Sequence, residues 1–433
     1  MTGVDPSLLV RAAAVYLCAA LTLVVCAWRR PTRLVAAGAA LAGVWNLSAV
    51  LALHVAARRF DWWQYHAEGG LLLGMPVDLY LAWVWLWGVL PALAFRTLPL
   101  PIVLGLALGF DLVLMPAAAP VVTLGPQWLA GEALGLLGGL LPAQLLARWT
   151  MRGARLRGRA LLQVVAFTGL LLFVLPAAIV DGSGSAWTNP LSRPVWQLGL
   201  FAQLMAAAAA IGLSAVQEFA TRGGGTPVPF DPPRRLVTTG VYAYVRNPMQ
   251  LSAALVLLLL GAILGNAWVA AAGLMAHIYA VGLAGWDEDE DLRRRFGDDW
   301  TTYRQGVRRW IPRWRPWHRS GAPPAKLYVS DSCDMCRQVG GWFVRHGAAG
   351  LVIRPAERHP SRALTRIAYE PADGARTSTG VEAIARALEH VHLGWASVGG
   401  LLRLPAVRPM AQLLVDASGG GPRPIPGLRT GRT

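Results

Sequence analysis

Two stretches of this 433-residue chain carry residues whose types and spacing could do chemistry. The first is TTGVYAYVRNPM, Thr238 to Met249, which sets two tyrosines, an arginine, an asparagine and a proline between two apolar runs. Pro248 suits the first turn of a helix and Asn247 can cap it, so a helix start accounts for that pair. It does not account for Gly240, Tyr242, Tyr244 and Arg246 just upstream. Beyond the next two apolar runs lies an acidic stretch, Asp287 to Asp291, which suits a solvated helix start. Arg308 and Arg309 follow it and can contact lipid phosphates.

The second stretch is KLYVSDSCDMCRQVGGWFVRHG, from Lys326. A strand-like run enters Cys333 and Cys336 at the start of a helical segment, the strand–CxxC–helix arrangement of thioredoxin-like folds. Thiols at a helix N-terminus feel its positive end, and Arg337 stands close by, so Cys333 is expected to have a lowered pKa and to be the attacking thiolate. A redox dithiol is the favoured reading and a structural pair the second. A metal centre is disfavoured, because no second CxxC exists and His346 and His359 show no ligand spacing. His390 and His392, two apart, do not share a helix face and are assigned no role.

The elements that position these residues are membrane elements. The chain is 55% hydrophobic and 15% charged, and its apolar residues come in long blocks. Nine spans are predicted at 8–28, 34–57, 70–95, 98–117, 128–147, 160–180, 194–216, 249–265 and 267–286, the last two joined by Gly265-Asn266 as a hairpin. The formal net charge of +16 is almost all arginine, with Lys326 the only lysine, and it lies mostly between spans or in the tail. Loops after odd-numbered spans hold most of it, which predicts an outside N-terminus and a cytosolic C-terminus. No nucleic-acid-binding motif is present. Cys18 and Cys26 belong to the first span and read as small packing residues. The early apolar run lacks a cleavage site and reads as a retained span. The expected fold class is an all-α polytopic membrane protein with a C-terminal cytosolic α/β thioredoxin-like domain.

The segment GVYAYVRNPMQLSAALVLLLLGAIL, its hairpin, and EDEDLRRRFGDDWTTYRQGVRRWIP together resemble the isoprenylcysteine carboxyl methyltransferase and phospholipid N-methyltransferase group of integral-membrane enzymes. In that family a G-x-Y-x-x-x-R-H-P-x-Y motif opens the hairpin, and a glutamate pair, F-G-x-x-Y-x-x-Y and an I-P segment close it. Gly240, Tyr242, Arg246 and Pro248 match the first motif, and Glu288, Leu292, Phe296, Gly297, Tyr303, Arg309, Ile311 and Pro312 match the second. The resemblance covers about residues 160–317. It implies S-adenosylmethionine in a cytosol-facing pocket, with Gly240, Tyr242, Tyr244, Arg246, Asn247, Pro248, Glu288 and Asp289 binding the cofactor and Glu288, Arg309 and Tyr303 catalytic. An arginine suits the methionine carboxylate, and acidic or aromatic groups suit the sulfonium. The sequence departs from the pattern at Asn247 (histidine in the family), Gln250 (tyrosine), Asp289 (glutamate) and Trp300 (tyrosine). An amide at 247 cannot take up a proton at neutral pH.

Residues 326–419 resemble the DCC-type thiol-disulfide oxidoreductases through Asp331, Cys333, Cys336 and the helix start at Gly380 to Ala385, with Ser332 where a glycine is usual. That resemblance makes Cys333 and Cys336 a second catalytic pair. Residues 62–91 are faintly similar to the G-x-P-[DE] spans of membrane carotenoid-type cyclases, which singles out Asp78; Glu68, Asp111 and Glu132 are the other carboxylates in or near spans. The expected organisation is N-terminal spans of unknown role (1–150), a methyltransferase domain (151–317), a linker (318–325), a CxxC domain (326–419) and a disordered tail (420–433). The expected function is S-adenosylmethionine-dependent methylation of a lipophilic acceptor in a bacterial cytoplasmic membrane, with a thiol redox partner for the CxxC domain. The alternative is a membrane-anchored thiol-disulfide protein whose hairpin is only a scaffold.

Overall fold

The computed structural model describes residues 5–186, 188–228, 231–281, 283–360 and 364–423, and the side chains of 277 and 279–288 lie outside the description. The protein is mostly helical, with a small sheet near the C-terminus. Among the described residues seven helices are long and apolar enough to cross a membrane: α1 (Pro6–Arg29), α2 (Arg33–Phe60), α3 (Val77–Ala94), α4 (Leu100–Ala117), α5 (Trp128–Met151), α6 (Leu156–Gly182) and α7 (Val195–Gly223). The other two expected spans form the hairpin α8 (Pro248–Leu264), of 17 residues, and α9, whose described residues are Ala267–Val281. At 1.5 Å per residue α8 reaches roughly 25 Å, against a hydrocarbon core of ~30 Å.

The chain divides into two compact units, the first built from Met1–Pro190, Thr226–Pro232 and Leu260–Ala271, the second from Leu191–Gly225, Pro233–Leu259 and Ala272–Thr433. The first unit centres on α2. Asp5 and Thr32 cap α1 and α2 with their side-chain oxygens, and two short strand pairs join the helices: β1 (Trp63–Tyr65) with β4 (Val122–Leu124), and β2 (Leu71–Leu72) with β3 (Met75–Pro76).

Three spans of this unit carry an internal proline that widens the helix. Wide turns at Trp85–Val89, Leu136–Leu140 and Leu170–Val174 come just before Pro91, Pro142 and Pro176. A proline has no N–H for the carbonyl four residues back, and no water in a bilayer replaces it. Side chains do so here. Gln144 Nε2 donates to the carbonyls of Trp87 (3.0 Å) and Gly88 (2.9 Å), and Trp45 Nε1 donates to that of Gly138 (2.8 Å).

In the second unit α10 (Leu283–Gly306) breaks at Gly297. The C-terminal sheet follows from β5 (Ala325–Val329), α11 (Asp334–Arg345), β6 (Leu351–Pro355), β7 (Ala368–Glu370) and β8 (Ser378–Thr379), in the order β6-β5-β7-β8. β5 and β6 are parallel, as the α11 crossover requires, while β7 and β8 run antiparallel, Leu327 facing Tyr369 and Tyr369 facing Ser378. Helices α12 (Val381–Leu388), α13 (Leu393–Leu402) and α14 (Val407–Val415) complete it.

A buried ion cluster ties α7 to this C-terminal part. Glu218, fully buried, accepts from Arg386 Nη1 (2.8 Å) and Arg403 Nη1 (2.8 Å), and Glu389 accepts from Arg403 Nη2 (2.7 Å). The Ser214 hydroxyl donates to the Ser397 carbonyl (3.0 Å) one turn away. His318, at the start of the expected linker, stacks on His390 with ring centroids 5.4 Å apart.

Two variants test these accounts by reversible unfolding in detergent. Gln144→Leu leaves two buried carbonyls without their donor and is expected to cost about 1 kcal/mol. Arg386→Met strands a buried carboxylate and is expected to cost about 3–5 kcal/mol; a loss within the error of the wild type would remove the cluster from the fold's supports.

Candidate functional site

Most of the residues singled out in Thr238–Met249 and around Arg309 meet in the second unit. The two segments lie alongside each other and exchange backbone hydrogen bonds: Arg246 N to Arg308 O (3.0 Å), Asn247 N to Arg309 O (3.2 Å), Arg313 N to Tyr244 O (2.9 Å) and Trp317 N to Ala243 O (2.8 Å). Gly240 has φ 61°, a left-handed conformation suited to glycine, and a Cβ there would sit 3.2 Å from Glu218 Cγ. The buried Glu218 also accepts from the Thr239 hydroxyl, so the segment is anchored where it leaves α7.

Around Arg246 the described side chains form an unbalanced cluster. Asp289 lies 2.9 Å from Arg309 Nη2, 3.6 Å from Arg304 Nη2 and 3.8 Å from Arg246 Nη1, one carboxylate among three guanidiniums. The Arg246 side chain is 10% exposed and its guanidinium sits 5.5 Å over the Trp300 ring. Its Nε and Nη1 are buried and make no hydrogen bond to any described residue. Burial draws Arg246 below the ordinary arginine pKa; Asp289 opposes that shift, while Arg309 and Arg304 add to it.

The tyrosines have a different part. Tyr303 is buried and its hydroxyl donates to the Tyr242 carbonyl (2.8 Å), while Tyr244, fully buried, donates to the Glu389 carbonyl (2.9 Å). Tyr242 packs its ring against Phe219 at 6.3 Å. The Asn247 amide donates to Gln250 Oε1 (2.9 Å), so two of the four positions that depart from the pattern of the resemblance are bonded to each other. Pro248 opens α8 as expected. The side chain of Glu288 lies outside the described residues.

The second site is the thiol pair. Cys333 is the N-cap of α11, and its Sγ accepts from the Cys336 N–H (3.4 Å). Both cysteines are free thiols. The Cys336 thiol, hydrogen-bonded to Cys333, holds it below the ordinary thiol pKa, with the backbone N–H groups of Cys336 and Met335 and the charge of Arg423 acting the same way. Burial, reinforced by Cys333, pushes Cys336 up to about 11. The sequence pointed to Arg337 as the neighbouring cation, but Arg337 is paired with Asp334 and Arg423 takes that part. Glu357, which no motif marked, fixes the loop entering α11 by accepting from the Ser330 hydroxyl (2.6 Å) and the Asp331 N–H (3.0 Å). No group of metal-ligating side chains occurs among the described residues.

No protein-family model, curated protein or solved structure matches this chain. Its chemistry is therefore argued from the two sites themselves.

Elsewhere in the second unit, burial lowers His390 to about 4, and its Nδ1 and Nε2 lie 2.8 Å from the Ala349 carbonyl and 2.9 Å from the Tyr369 hydroxyl. His392 stacks on Trp314 at 4.7 Å. In the first unit, Asp78 is paired with Arg11 (2.7 Å), and Asp111 and Glu132 are buried, Asp111 accepting from the Trp87 indole N–H (2.8 Å).

The asymmetry of the thiol pair is testable with iodoacetamide followed by peptide mapping on the full-length protein. Alkylation is expected at Cys333 at pH 7, with Cys336 reacting only as the pH approaches 10; Cys333→Ser should abolish the neutral-pH product. Equal rates at both positions would contradict the assignment of Cys333 as the nucleophile.

Proposed function

We propose that this protein is an integral-membrane methyltransferase that uses S-adenosylmethionine and acts on a lipophilic acceptor, with a thiol-disulfide domain fused behind it. The observation that carries the reading is the cluster around Arg246, whose guanidinium is nine-tenths buried over the Trp300 ring beside the Arg309–Asp289 pair, with its Nε and Nη1 bonded to no described residue. Such a cluster favours a small anion with a planar, two-oxygen face, and an amino-acid carboxylate has that form. The residues present therefore fit the methionine end of the cofactor. Arg246 and Arg309 would hold its carboxylate, and Trp300, stacked on Arg246, gives the cluster an aromatic wall. When bound, S-adenosylmethionine supplies an electrophilic methyl group on a sulfonium.

The chain's own part is to orient and to keep dry. Tyr303 locks the Tyr242 carbonyl, and the backbone ladder from Arg246 to Trp317 fixes the two segments, so little reorganisation is left for the moment of reaction. Asn247, bonded to Gln250, moves no proton. We assign the acceptor to the bilayer because the motif opens directly into the apolar hairpin. The arginine distribution supports a C-terminus in the cytosol of a bacterial cell.

The C-terminal sheet supports the thioredoxin-like part of the reading. A parallel strand–helix–strand unit followed by two antiparallel strands and a helix, in the order β6-β5-β7-β8, is the arrangement expected of that fold, and Cys333 sits at the helix start where its nucleophile belongs. The alternative of a membrane-anchored thiol-disulfide protein is favoured by the Asn247–Gln250 bond, which replaces two side chains of the methyltransferase motif.

Isothermal titration of S-adenosylmethionine and S-adenosylhomocysteine into the detergent-purified protein tests the main reading. Binding is expected for both, weakened roughly tenfold or more in Arg246→Ala and partly restored in Arg246→Lys. Absence of binding by folded wild-type protein would leave the thiol-disulfide reading standing alone.

A further inference from the structure

The first unit holds a second concentration of charge, at one end of its bundle. There α2, the loop after α3 and the end of α5 enclose a cleft of about 400 Å3 lined by Val35, Arg96, Thr97, Arg148, Met151 and Arg152. Three of the six are arginines and none is acidic. Among the described residues no carboxylate forms an ion pair with any of the three. Arg148 is held in place by donating from Nη2 to the Phe95 carbonyl (3.2 Å), and its Nε is buried with no hydrogen-bond partner among the described residues. Arg152, one helical turn on, adds its repulsion. Val35 lies in the first turn of α2, where its N–H donates to the Thr32 hydroxyl oxygen (3.4 Å).

The floor is apolar and closely built. Gly38 lets α2 and α5 approach so tightly that a Cβ there would meet the Ala147 carbonyl at 3.0 Å and the Met151 side chain at 3.1 Å. Val35 and Met151 pack against the alanine cluster of Ala39, Ala42, Ala143 and Ala147 below. Like charges gathered round a cleft repel unless an anion joins them. The volume falls in the range of small-ligand sites, and three guanidiniums lining one open cleft suit the several oxygens of a phosphate group. The cleft also stands at the ends of helices long enough to span a bilayer, the level at which lipid headgroups lie.

We propose that this cleft binds a phosphate or diphosphate group carried on a lipid. The site is separate from the methyl-transfer cluster, and the inference does not rest on that reading.

The test uses the full-length protein in phosphatidylcholine nanodiscs with and without phosphatidic acid. Native mass spectrometry reads retained lipid, and isothermal titration reads inorganic pyrophosphate. Two variants accompany the wild type: Arg148→Gln with Arg152→Gln, and Thr97→Asp, which adds a carboxylate at an exposed rim position and spares the Arg148–Phe95 bond. The wild type is expected to retain phosphatidic acid over phosphatidylcholine, and each variant to lose roughly tenfold or more of that preference. Pyrophosphate binding lost in the same variants, without lipid selectivity, would keep the phosphate site and move its source to solution. No binding of either probe, or binding that Thr97→Asp leaves intact, overturns the proposal.

Discussion

The second unit depends on how the buried carboxylate of Glu218 is neutralised. An ionised group with no solvent contact at the end of an apolar helix is costly unless it is both paired and hydrogen-bonded. Arg386 and Arg403 reach it from residues far along the chain, and Glu389 shares both guanidiniums. With Arg222 at 3.9 Å from Glu218 and paired in turn with Asp373, the result is three carboxylates against three guanidiniums, closed by the Thr239 hydroxyl. Buried ion pairs contribute little net stability compared with an apolar core, but they tolerate only one geometry. Here that geometry sets the point from which Gly240 turns and Tyr242 to Pro248 run on into α8. Tyr244 reaches the Glu389 carbonyl within the same structure, so one cluster positions both the motif and the C-terminal sheet.

The contrast with the cluster at Arg246 separates structural from binding charge. Around Glu218 signs balance and both buried carboxylates are satisfied, leaving nothing for a ligand to do. Around Asp289 three cations share one described carboxylate, and N–H groups of Arg246 are buried without an acceptor. The cleft at Arg148 has the same imbalance and, among the described residues, no compensating carboxylate. Arg246, nine-tenths buried, is the most enclosed of the three described cations around Asp289.

Much of this was legible in the sequence. Long apolar blocks marked the seven spanning helices, Pro248 marked the start of α8, and the CxxC after a strand-like run marked the N-terminus of α11. The hairpin was visible too, and its first helix, expected at 249–265, runs over Pro248–Leu264. Glu218 gave no signal, since its partners stand 168 and 185 residues away and one glutamate after an apolar run reads as a helix end. The cation beside Cys333 was misplaced for a related reason: Arg337 is adjacent in sequence, yet Asp334 occupies it, and Arg423 arrives only through the fold. Pairing of Asn247 with Gln250 could have been suspected from their spacing at a helix start, but which side chain each would choose depends on their neighbours.

That pairing bears on the acceptor. A side chain at position 247 able to accept a proton could activate a neutral nucleophile, whereas an amide already donating to Gln250 cannot. Tyr303 and Tyr244 donate their hydroxyls to backbone carbonyls, and Asp289 is drawn into ion pairs with Arg246, Arg304 and Arg309. Under the proposed methyl transfer, these described groups offer positioning and charge. The same cations that favour the cofactor carboxylate would also favour an anionic acceptor, so one imbalance of charge serves both partners of the reaction.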